Sequence, residues 1–461
     1  MWPTPSGVPD MSAKGYLMNT TTDATPAPAV EHSSGIARIA VATGVGTALE
    51  FYDFALYGTA TALVFNQIFF ISEDEWFGTF MGLATFAVGF LMGPFGAGLF
   101  GWVGDRFGRK VSVLITFMSM GLATLLMGLL PGYHAIGLAA PILLVVLRMV
   151  HGLARGGEIG GAAVLAIEHA PARRRAVYGS FVALGSPIGM LMANMAFSLV
   201  LFLPMATVVD WGWRLPFLFG AIVLALGVWA RRGVSETPVF RALKADERAH
   251  AGRSLPLARA VRQNWRSMVL AAGVNLGLNA NMFILATFML SYATAEPPRG
   301  LGLARQAIVN GSVLGLLAHA AAIIIGCWLA DRFGRKVVMI PAAVAALGYA
   351  LVMFRIADIG TVAAVNTAVL IGFAITGFLF GPLMTFFTEL FSPEQRQSGM
   401  GVAYQIGAVL GGGLSPMVAN RLVAATGSSM SVGWYLAALL TVTVACLVVL
   451  PETAPVRRAR A

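Results

Sequence analysis

Apolar stretches recur along almost the whole chain, and they restrict its fold more than any other feature. Each is about 20 residues long, the length at which a helix crosses the roughly 30 Å hydrocarbon layer of a bilayer. We predict helices at 37–64, 77–100, 111–130, 139–163, 177–203, 213–231, 267–293, 306–329, 337–356, 363–387, 399–423 and 430–450. The sequence therefore predicts an all-α integral membrane protein with twelve transmembrane helices.

The composition excludes several other classes of protein. Of the 461 residues, 57% are hydrophobic and 11% are charged, whereas an ordinary soluble domain has about 25% charged residues. The chain has no Gly-x-x-x-x-Gly-Lys-Ser/Thr phosphate loop, which argues against ATP hydrolysis. Its two cysteines, Cys327 and Cys446, stand in apolar runs and are too few for a metal site or a disulfide framework. We expect no enzymatic activity, no metal and no bound cofactor.

The net charge of +10 is concentrated in alternate connections between the predicted helices. The basic connections contain Arg106, Arg109 and Lys110, then Arg173, Arg174 and Arg175, then Arg332, Arg335 and Lys336. Connections rich in Lys and Arg stay on the cytoplasmic side of a membrane, so both termini are predicted to be cytoplasmic. The membrane explains the charge without a nucleic-acid partner, and we expect a multi-pass protein of a bacterial inner membrane.

Composition divides the chain into five segments. Residues 1–35 are rich in Pro, Thr, Ser and Ala and predict a disordered cytoplasmic tail. Two six-helix halves, 36–231 and 267–450, flank a basic linker at 232–266, and a short tail at 451–461 follows. The linker could bind acidic lipid or a partner protein, or it could simply connect the halves in the cytoplasm.

An internal repeat relates the two halves. The segment Gly104-Asp-Arg-Phe-Gly-Arg-Lys110 returns 226 residues later as Ala330-Asp-Arg-Phe-Gly-Arg-Lys336. Glu168 and Arg175 are echoed by Glu389 and Arg396, and Gly212-Trp213 by Gly433-Trp434, each 221 residues later. Such a repeat predicts two halves of one design.

The repeated Asp-Arg-Phe-Gly-Arg-Lys loop resembles the signature loop of the major facilitator superfamily. Carboxylates and guanidinium groups at helix ends can bridge neighbouring helices, and these bridges can break when the halves rock. We therefore predict a gating role for Asp105, Arg106, Arg109, Asp331, Arg332, Arg335, Glu168, Glu389 and Arg396.

Three further segments resemble the metabolite:proton symporter family, which includes carriers of shikimate, 2-oxoglutarate, citrate and proline or betaine. They are Glu50–Gly58, Arg148–Glu158 and Trp211–Phe217, and Gly156–Ala162 with Glu168–Pro171 is most similar to the shikimate-like branch. The resemblance implies the major facilitator fold, a central path lined by helices 1, 4, 7 and 10, and protons as the coupling ion. The chain departs from the family at His151, where Gln is usual, and at Arg155, where a small or apolar residue is usual.

Charged side chains in helices 1 and 4 form two polar stripes. At about 100° per residue, each stripe lies within an arc of about 80°. Charges at bilayer depth are costly and usually face a cavity and a partner. The proton-coupling candidates are Asp53, Glu50 and Glu158, and the substrate-binding candidates are Arg148, Arg155, Tyr57, His151, Asn275 and Asn279.

These candidates leave alternatives open. Arg148 or Arg155 would bind a substrate carboxylate, while Asp53 or Glu50 carries the proton. Glu158 could instead form a gate latch with Arg106 or Arg109, and His151 could relay protons or only donate a hydrogen bond. Arg148 and Asp53 could also have purely structural roles.

The second half repeats the packing glycines of the first half but not its charges. The 221-residue offset places Thr376 opposite Arg155 and Leu379 opposite Glu158, whereas Gly156 and Gly160 map onto Gly377 and Gly381. The second half is thus expected to offer hydrogen bonds and shape. Weaker candidates for the site are Asn194, His319, Tyr404 and Gln405, and interhelical hydrogen bonding is the more expected role of each.

Proton-coupled uptake of a small organic acid, such as shikimate or a di- or tricarboxylate, is the function expected from these features. The alternatives are symport of a zwitterion such as betaine or proline, proton-driven efflux, and a membrane sensor built on a transporter fold. The expected partners are a carboxylate-bearing small molecule and the lipid bilayer, and we expect a monomer.

Overall fold

The structure is a computed structural model that describes residues 33–71, 81, 84–85, 87–232, 236–237, 240–241, 257–297 and 300–455. The predicted tail up to residue 32, the start of the helix predicted from 77, most of the linker and the last six residues lie outside the described residues.

Helices make up almost all of the described residues, and none of these residues is in a β-strand. The first half contains α1 (Ser33–Ala60), α2 (Ala87–Phe107), α3 (Arg109–Leu129), α4 (Ala139–Glu168), α5 (Arg175–Val200) and α6 (Arg214–Arg232). The second contains α7 (Leu257–Phe283), α8 (Arg305–Phe333), α9 (Arg335–Ala357), α10 (Val362–Leu390), α11 (Arg396–Ala408) and α12 (Met430–Val449). Helix α7 begins ten residues before the predicted start at 267. Its first turns are rich in polar residues, and a prediction from apolar length leaves such turns out.

Wider π-helical turns extend three of these helices. Thr61–Phe65 follows α1, Ile284–Phe288 with Met289–Thr294 follows α7, and Val409–Gly413 with Ser415–Thr426 follows α11. Such turns often mark functional positions in helices.

The helices are long and apolar enough to cross a membrane. Ten helices in the described ranges meet this condition by length and composition. The pair Met205–Gly212 and Arg214–Trp229, bent by 47°, would form an eleventh membrane-spanning segment. Helix α1 has 28 residues and, at about 1.5 Å per residue, is long enough to cross as well. The predicted all-α membrane architecture is confirmed.

The two halves pack in the same way. Helix α1 packs on α5 as α7 packs on α11, and α2 and α3 pack on α4 as α8 and α9 pack on α10. The halves meet where α2 packs on α11 and α8 packs on α5. This matched pattern agrees with the predicted two-half repeat.

Glycines let equivalent helices approach closely in both halves. A Cβ on Gly156 of α4 would lie 2.0 Å from the carbonyl oxygen of Gly93, and one on Gly377 of α10 would lie 2.6 Å from that of His319. The repeated loop also needs glycine, because Gly108 and Gly334 have φ angles of 119° and 116°. The glycines therefore serve packing and loop geometry.

Candidate functional site

Helices α1 and α4 bring their two polar stripes face to face. Arg155 Nη1 lies 3.4 Å from Glu50 Oε1, and His151 Nε2 lies 3.0 Å from Asp53 Oδ2. One step further along both helices, the Arg148 guanidinium carbon lies 4.0 Å from the centre of the Tyr57 ring. Successive pairs are three or four residues apart, about 5 Å along the helix axes. We call these three pairs the ladder.

The ladder is shut away from the protein surface. Its six side chains belong to residues that are at most 3% exposed. In such surroundings a charge needs a partner, because burial of an isolated charge is very costly. The structure thus brings together the charged residues predicted from helices 1 and 4.

Asp53 stands at the middle pair of the ladder. Its Oδ2 accepts a hydrogen bond from Thr124 Oγ1 of α3 at 2.7 Å, in addition to the contact with His151. Its Oδ1 is buried and has no hydrogen-bond partner among the described residues. The carboxyl group is thus held through one oxygen, while the other oxygen leaves a hydrogen-bonding position open.

Arg155 links the two halves of the protein. Its Nη2 donates to Oε1 of Gln405 in α11 at 2.9 Å, while Nη1 faces Glu50 of α1. Buried polar atoms of this cluster that lack a hydrogen-bond partner in the described part of the chain are Arg155 Nε, Gln405 Nε2 and Glu50 Oε2. Such atoms in a native protein usually indicate a functional site or an unobserved ligand.

Three phenylalanine rings form a cluster beside Arg155, two of them in contact with its guanidinium group, and we call them the aromatic triad. Phe54 of α1, Phe90 of α2 and Phe283 of α7 have ring centres 4.6, 5.5 and 6.0 Å apart. The Arg155 guanidinium carbon lies 4.5 Å from the centre of the Phe54 ring and 4.7 Å from that of Phe90. Cations are attracted to ring faces at this distance, so the triad stabilises the buried guanidinium.

The remaining substrate and proton candidates lie beside the ladder. Glu158 Oε2 accepts from Thr116 Oγ1 of α3 at 2.9 Å. Asn275 donates to the Tyr404 carbonyl oxygen at 2.6 Å, and Asn279 donates to Asn275 Oδ1 at 2.7 Å. As expected, the second half presents amide groups at this level.

At one end of the bundle, the repeated loops join the halves symmetrically. We call this end, which contains 104–110, 168–176, 330–336 and 389–398, the basic end. Asp105 of α2 accepts from the backbone nitrogen and Oγ of Ser398 at 3.2 and 2.6 Å. Asp331 of α8 accepts from the backbone nitrogens of Ala176 and Val177, both at 3.0 Å. Each aspartate thereby caps the first turn of a helix in the other half, where the helix dipole favours negative charge.

Two buried glutamates complete the network at the basic end. Glu168 lies 3.7 Å from Arg109 of its own half and 3.1 Å from Arg396 of the other. Glu389 in turn lies 3.3 Å from Arg335 of its own half and 3.6 Å from Arg175 of the other. The predicted gating residues that meet here are Asp105, Arg109, Glu168, Asp331, Arg335, Glu389 and Arg396, and Arg175 joins them.

Two predicted gating residues lie at the basic end but outside this network of contacts. Arg106 and Arg332 are exposed, and their guanidinium groups lie over the rings of Trp102 and Trp328, respectively, one helical turn away. Their neighbours in sequence, Asp105 and Asp331, point towards the opposite half, and successive residues on a helix do not share a face.

The sequence analysis did not identify a second pair of glutamates, Glu236 and Glu452, which also contact the repeated loops. Glu236 accepts from the backbone nitrogens of Arg109 and Lys110 at 3.1 and 3.2 Å, and Glu452 accepts from those of Arg335 and Lys336, both at 3.0 Å. The signal was another repeat, Ser235-Glu-Thr-Pro238 after α6 and Pro451-Glu-Thr-Ala454 after α12.

Comparison with known proteins agrees with this architecture. The sequence model of the Major Facilitator Superfamily matches residues 43–416 and, in a second match, 311–461. The inner membrane metabolite transport protein YhjE of Escherichia coli is 37% identical over 419 residues, which cover 90% of this chain and 94% of that protein. The shikimate transporter of Escherichia coli is 37% identical over 395 residues, with 84% and 87% covered.

One further relative and one solved structure extend the comparison. The proline/betaine transporter of Escherichia coli is 30% identical over 424 residues, with 90% and 83% covered. The structure of the proton:xylose symporter XylE bound to 6-bromo-6-deoxy-D-glucose superposes with a TM-score of 0.74 over 92% of this chain and 97% of that chain. Its sequence is 19% identical, so this likeness shows the fold alone. The chain belongs to the Major Facilitator Superfamily, among its transporters of metabolites.

Proposed function

We propose that this transporter, which is not an enzyme, takes up a small organic acid together with protons by alternating access. The observation that supports the proposal is the buried ladder, in which Arg155 already contacts the Glu50 carboxylate and Asp53 stands at the neighbouring pair. Metabolite carriers among the relatives support the substrate class. The basic end then faces the cytoplasm of a bacterial inner membrane, with both termini on the same side.

Substrate binding is proposed to occur at Arg155. A guanidinium group has a planar fork of donors that matches a carboxylate, and Glu50 already occupies part of this fork at 3.4 Å. A substrate carboxylate would replace Glu50, so the fixed positive charge stays paired throughout the cycle. Arg148, seven residues away on the same face of α4, supplies a second positive charge near the path.

Proton binding is proposed to occur at Asp53. When a second negative charge enters the ladder with the substrate, the proton affinity of a nearby carboxyl group rises. Proton and substrate then favour each other's binding. The membrane supplies enough driving force, since one charge crossing 100 mV releases about 2.3 kcal/mol.

Opening towards the cytoplasm requires the network at the basic end to break. The contacts that join opposite halves there include Asp105 to Ser398, Asp331 to Ala176, Glu168 to Arg396, and Glu389 to Arg175. Rocking of one half against the other would separate these contacts together while leaving the contacts within each half intact.

Replacement of Asp53 tests the proton role. Asp53→Asn keeps the shape and a hydrogen-bonding oxygen but cannot take up a proton. We expect loss of accumulation driven by a pH gradient, with substrate exchange at equal pH retained, in proteoliposomes. The control is Asp358→Asn, an exposed acid in the second half that should leave accumulation unchanged. If Asp53→Asn accumulated substrate as well as the wild type does, Asp53 would not be the residue that binds the coupled proton.

Symport of a zwitterion is the second candidate, favoured by the match to the proline/betaine transporter. A panel of radiolabelled acids and zwitterions offered to vesicles with an imposed pH gradient separates the two. If the pH gradient accelerated the uptake of zwitterions alone, the substrate would be a zwitterion and not an organic acid. A protonophore gives the direction, because it abolishes uptake but increases the retention of a substrate that is pumped out.

A further inference from the structure

Gln405 lies where α11 of the second half approaches the ladder of the first half. Gln405 itself is 0% exposed, and its Oε1 accepts from Arg155 at 2.9 Å. A Cβ on Gly93 of α2 would lie 2.7 Å from this oxygen and 3.1 Å from Arg155 Nη2. The absence of a side chain at Gly93 thus leaves room for the Arg155–Gln405 contact.

The hydrogen-bonding capacity of Gln405 is only half used. Its Nε2 is buried and has no acceptor among the described residues, and a buried donor without a partner destabilises a protein. When a substrate carboxylate takes the Arg155 fork, Oε1 also loses its donor. The amide then needs one acceptor and one donor beside the carboxylate.

A hydroxyl group meets both needs, since it can accept one hydrogen bond and donate another. Another carboxylate would satisfy only Nε2 and would leave Oε1 facing a negative charge. A methylene group would satisfy neither atom. The chemistry around Gln405 therefore distinguishes acids with a hydroxyl group near the carboxylate from acids without one.

Gln405 shares a continuous helix with residues that hold the basic end closed. The segment Arg396–Ala408 is an unbroken α-helix of 13 residues. Its first turn contains Arg396, which pairs with Glu168, and Ser398, which pairs with Asp105. The π-helical turn Val409–Gly413 follows immediately. Because α11 is one continuous helix, a movement of Gln405 also moves Arg396 and Ser398 at the basic end.

We propose that Gln405 is a specificity-determining residue that binds a hydroxyl group next to the substrate carboxylate. Binding there moves α11 and thereby weakens the contacts that Arg396 and Ser398 make at the basic end. The proposal rests on the proposed uptake of an organic acid and narrows it to hydroxylated carboxylic acids. Arg155 of the first half binds the carboxylate, and Gln405 of the second half forms hydrogen bonds with the neighbouring hydroxyl group.

Pairs of acids that differ by hydroxyl groups test this proposal. Malate is compared with succinate, and citrate with propane-1,2,3-tricarboxylate, by competition for exchange in proteoliposomes at equal pH, because each pair differs by one hydroxyl group on the carbon next to a carboxylate. The wild type should prefer the hydroxylated member of a transported pair by about tenfold, as expected when the deoxy acid leaves a buried hydrogen-bonding atom without a partner. Gln405→Ala should reduce this preference to about twofold or less, with little change in affinity for the deoxy acid.

Further variants separate recognition from folding. Gln405→Met fills the same space without hydrogen bonds and should lose the preference as Gln405→Ala does. Thr443→Val, which removes a buried hydroxyl that hydrogen-bonds to α7, should keep the wild-type preference. An unchanged preference in both Gln405 variants, with transport intact, would overturn this inference alone. Failure of the wild type to exchange any acid would overturn the proposed function as well.

Discussion

At the scale of single residues, neighbouring pairs of the ladder are suited to different tasks. Asp53 contacts His151 and Thr124, which both belong to the first half, whereas Arg155 contacts Gln405 across the interface. A group bound only within one half keeps its surroundings when the halves rock. A group that bridges the halves exchanges partners, which suits a substrate site.

His151 contacts Asp53 at the middle pair of the ladder, where its Nε2 lies 3.0 Å from Oδ2. A neutral imidazole that donates this hydrogen bond positions the carboxyl group without adding a charge. His151→Gln can donate a hydrogen bond to the same oxygen through its amide nitrogen. We therefore expect transport to persist with an unchanged pH of half-maximal uptake, measured as initial rates across a pH series. A shifted midpoint would mean that His151 carries a charge that acts on Asp53.

At the scale of helices, glycine contacts determine how closely α2 and α4 pack. Gly156→Ala would place a methyl group 2.0 Å from the carbonyl oxygen of Gly93, so the helices must separate. Overpacking of this kind costs about 1–3 kcal/mol. We expect a lower melting temperature for the purified variant in detergent. Gly348→Ala is the matched control, because a Cβ at Gly348 meets no atom within 4 Å. Equal melting temperatures for the two variants would contradict the packing role.

The polar stripes of α1 and α4 were predictable because the helical period alone places Glu50 near Asp53, and Arg148 near Arg155, on one face. The partners of these stripes in the other half were not. Gln405 was a weaker candidate, expected mainly to join helices, since a periodic pattern says which residues share a face but not which helix lies opposite. The aromatic triad escaped prediction for the same reason, because single phenylalanines in apolar helices carry no signal of their own.

At the scale of the whole molecule, the halves are held by contacts that repeat with approximate two-fold symmetry. The sequence repeat predicted this network, and it missed Glu236 and Glu452 only because their short motif follows the last helix of each half. Both glutamates bind the start of a helix within their own half. They stabilise each half as a unit, while the interhalf contacts determine how the units are oriented.

Glu168 is the best place to shift that orientation. Glu168→Gln removes the negative charge that holds Arg396 across the interface, and breaking such a buried pair costs several kcal/mol. We expect the basic end to open more often, seen as longer distances between spin labels at Arg173 and Ser392. Glu452→Gln, which alters contacts within one half, should leave these distances unchanged. Unaltered distances in Glu168→Gln would mean that other contacts hold the gate.

The aromatic triad has an electrical consequence. Three rings from α1, α2 and α7 fill the space beside Arg155 with groups that neither donate nor accept protons. Gly412 and Gly413 of the π-helical turn after α11 leave room for them, because a Cβ there would lie 2.8 Å from Phe283 and 3.2 Å from Phe90, respectively. A continuous file of water through this point would let protons leak down a potential of about 100 mV without any cargo. If uptake is coupled to protons as proposed, rings that keep water out of the bundle insulate the membrane, so that the proton gradient is discharged only as fast as substrate is carried.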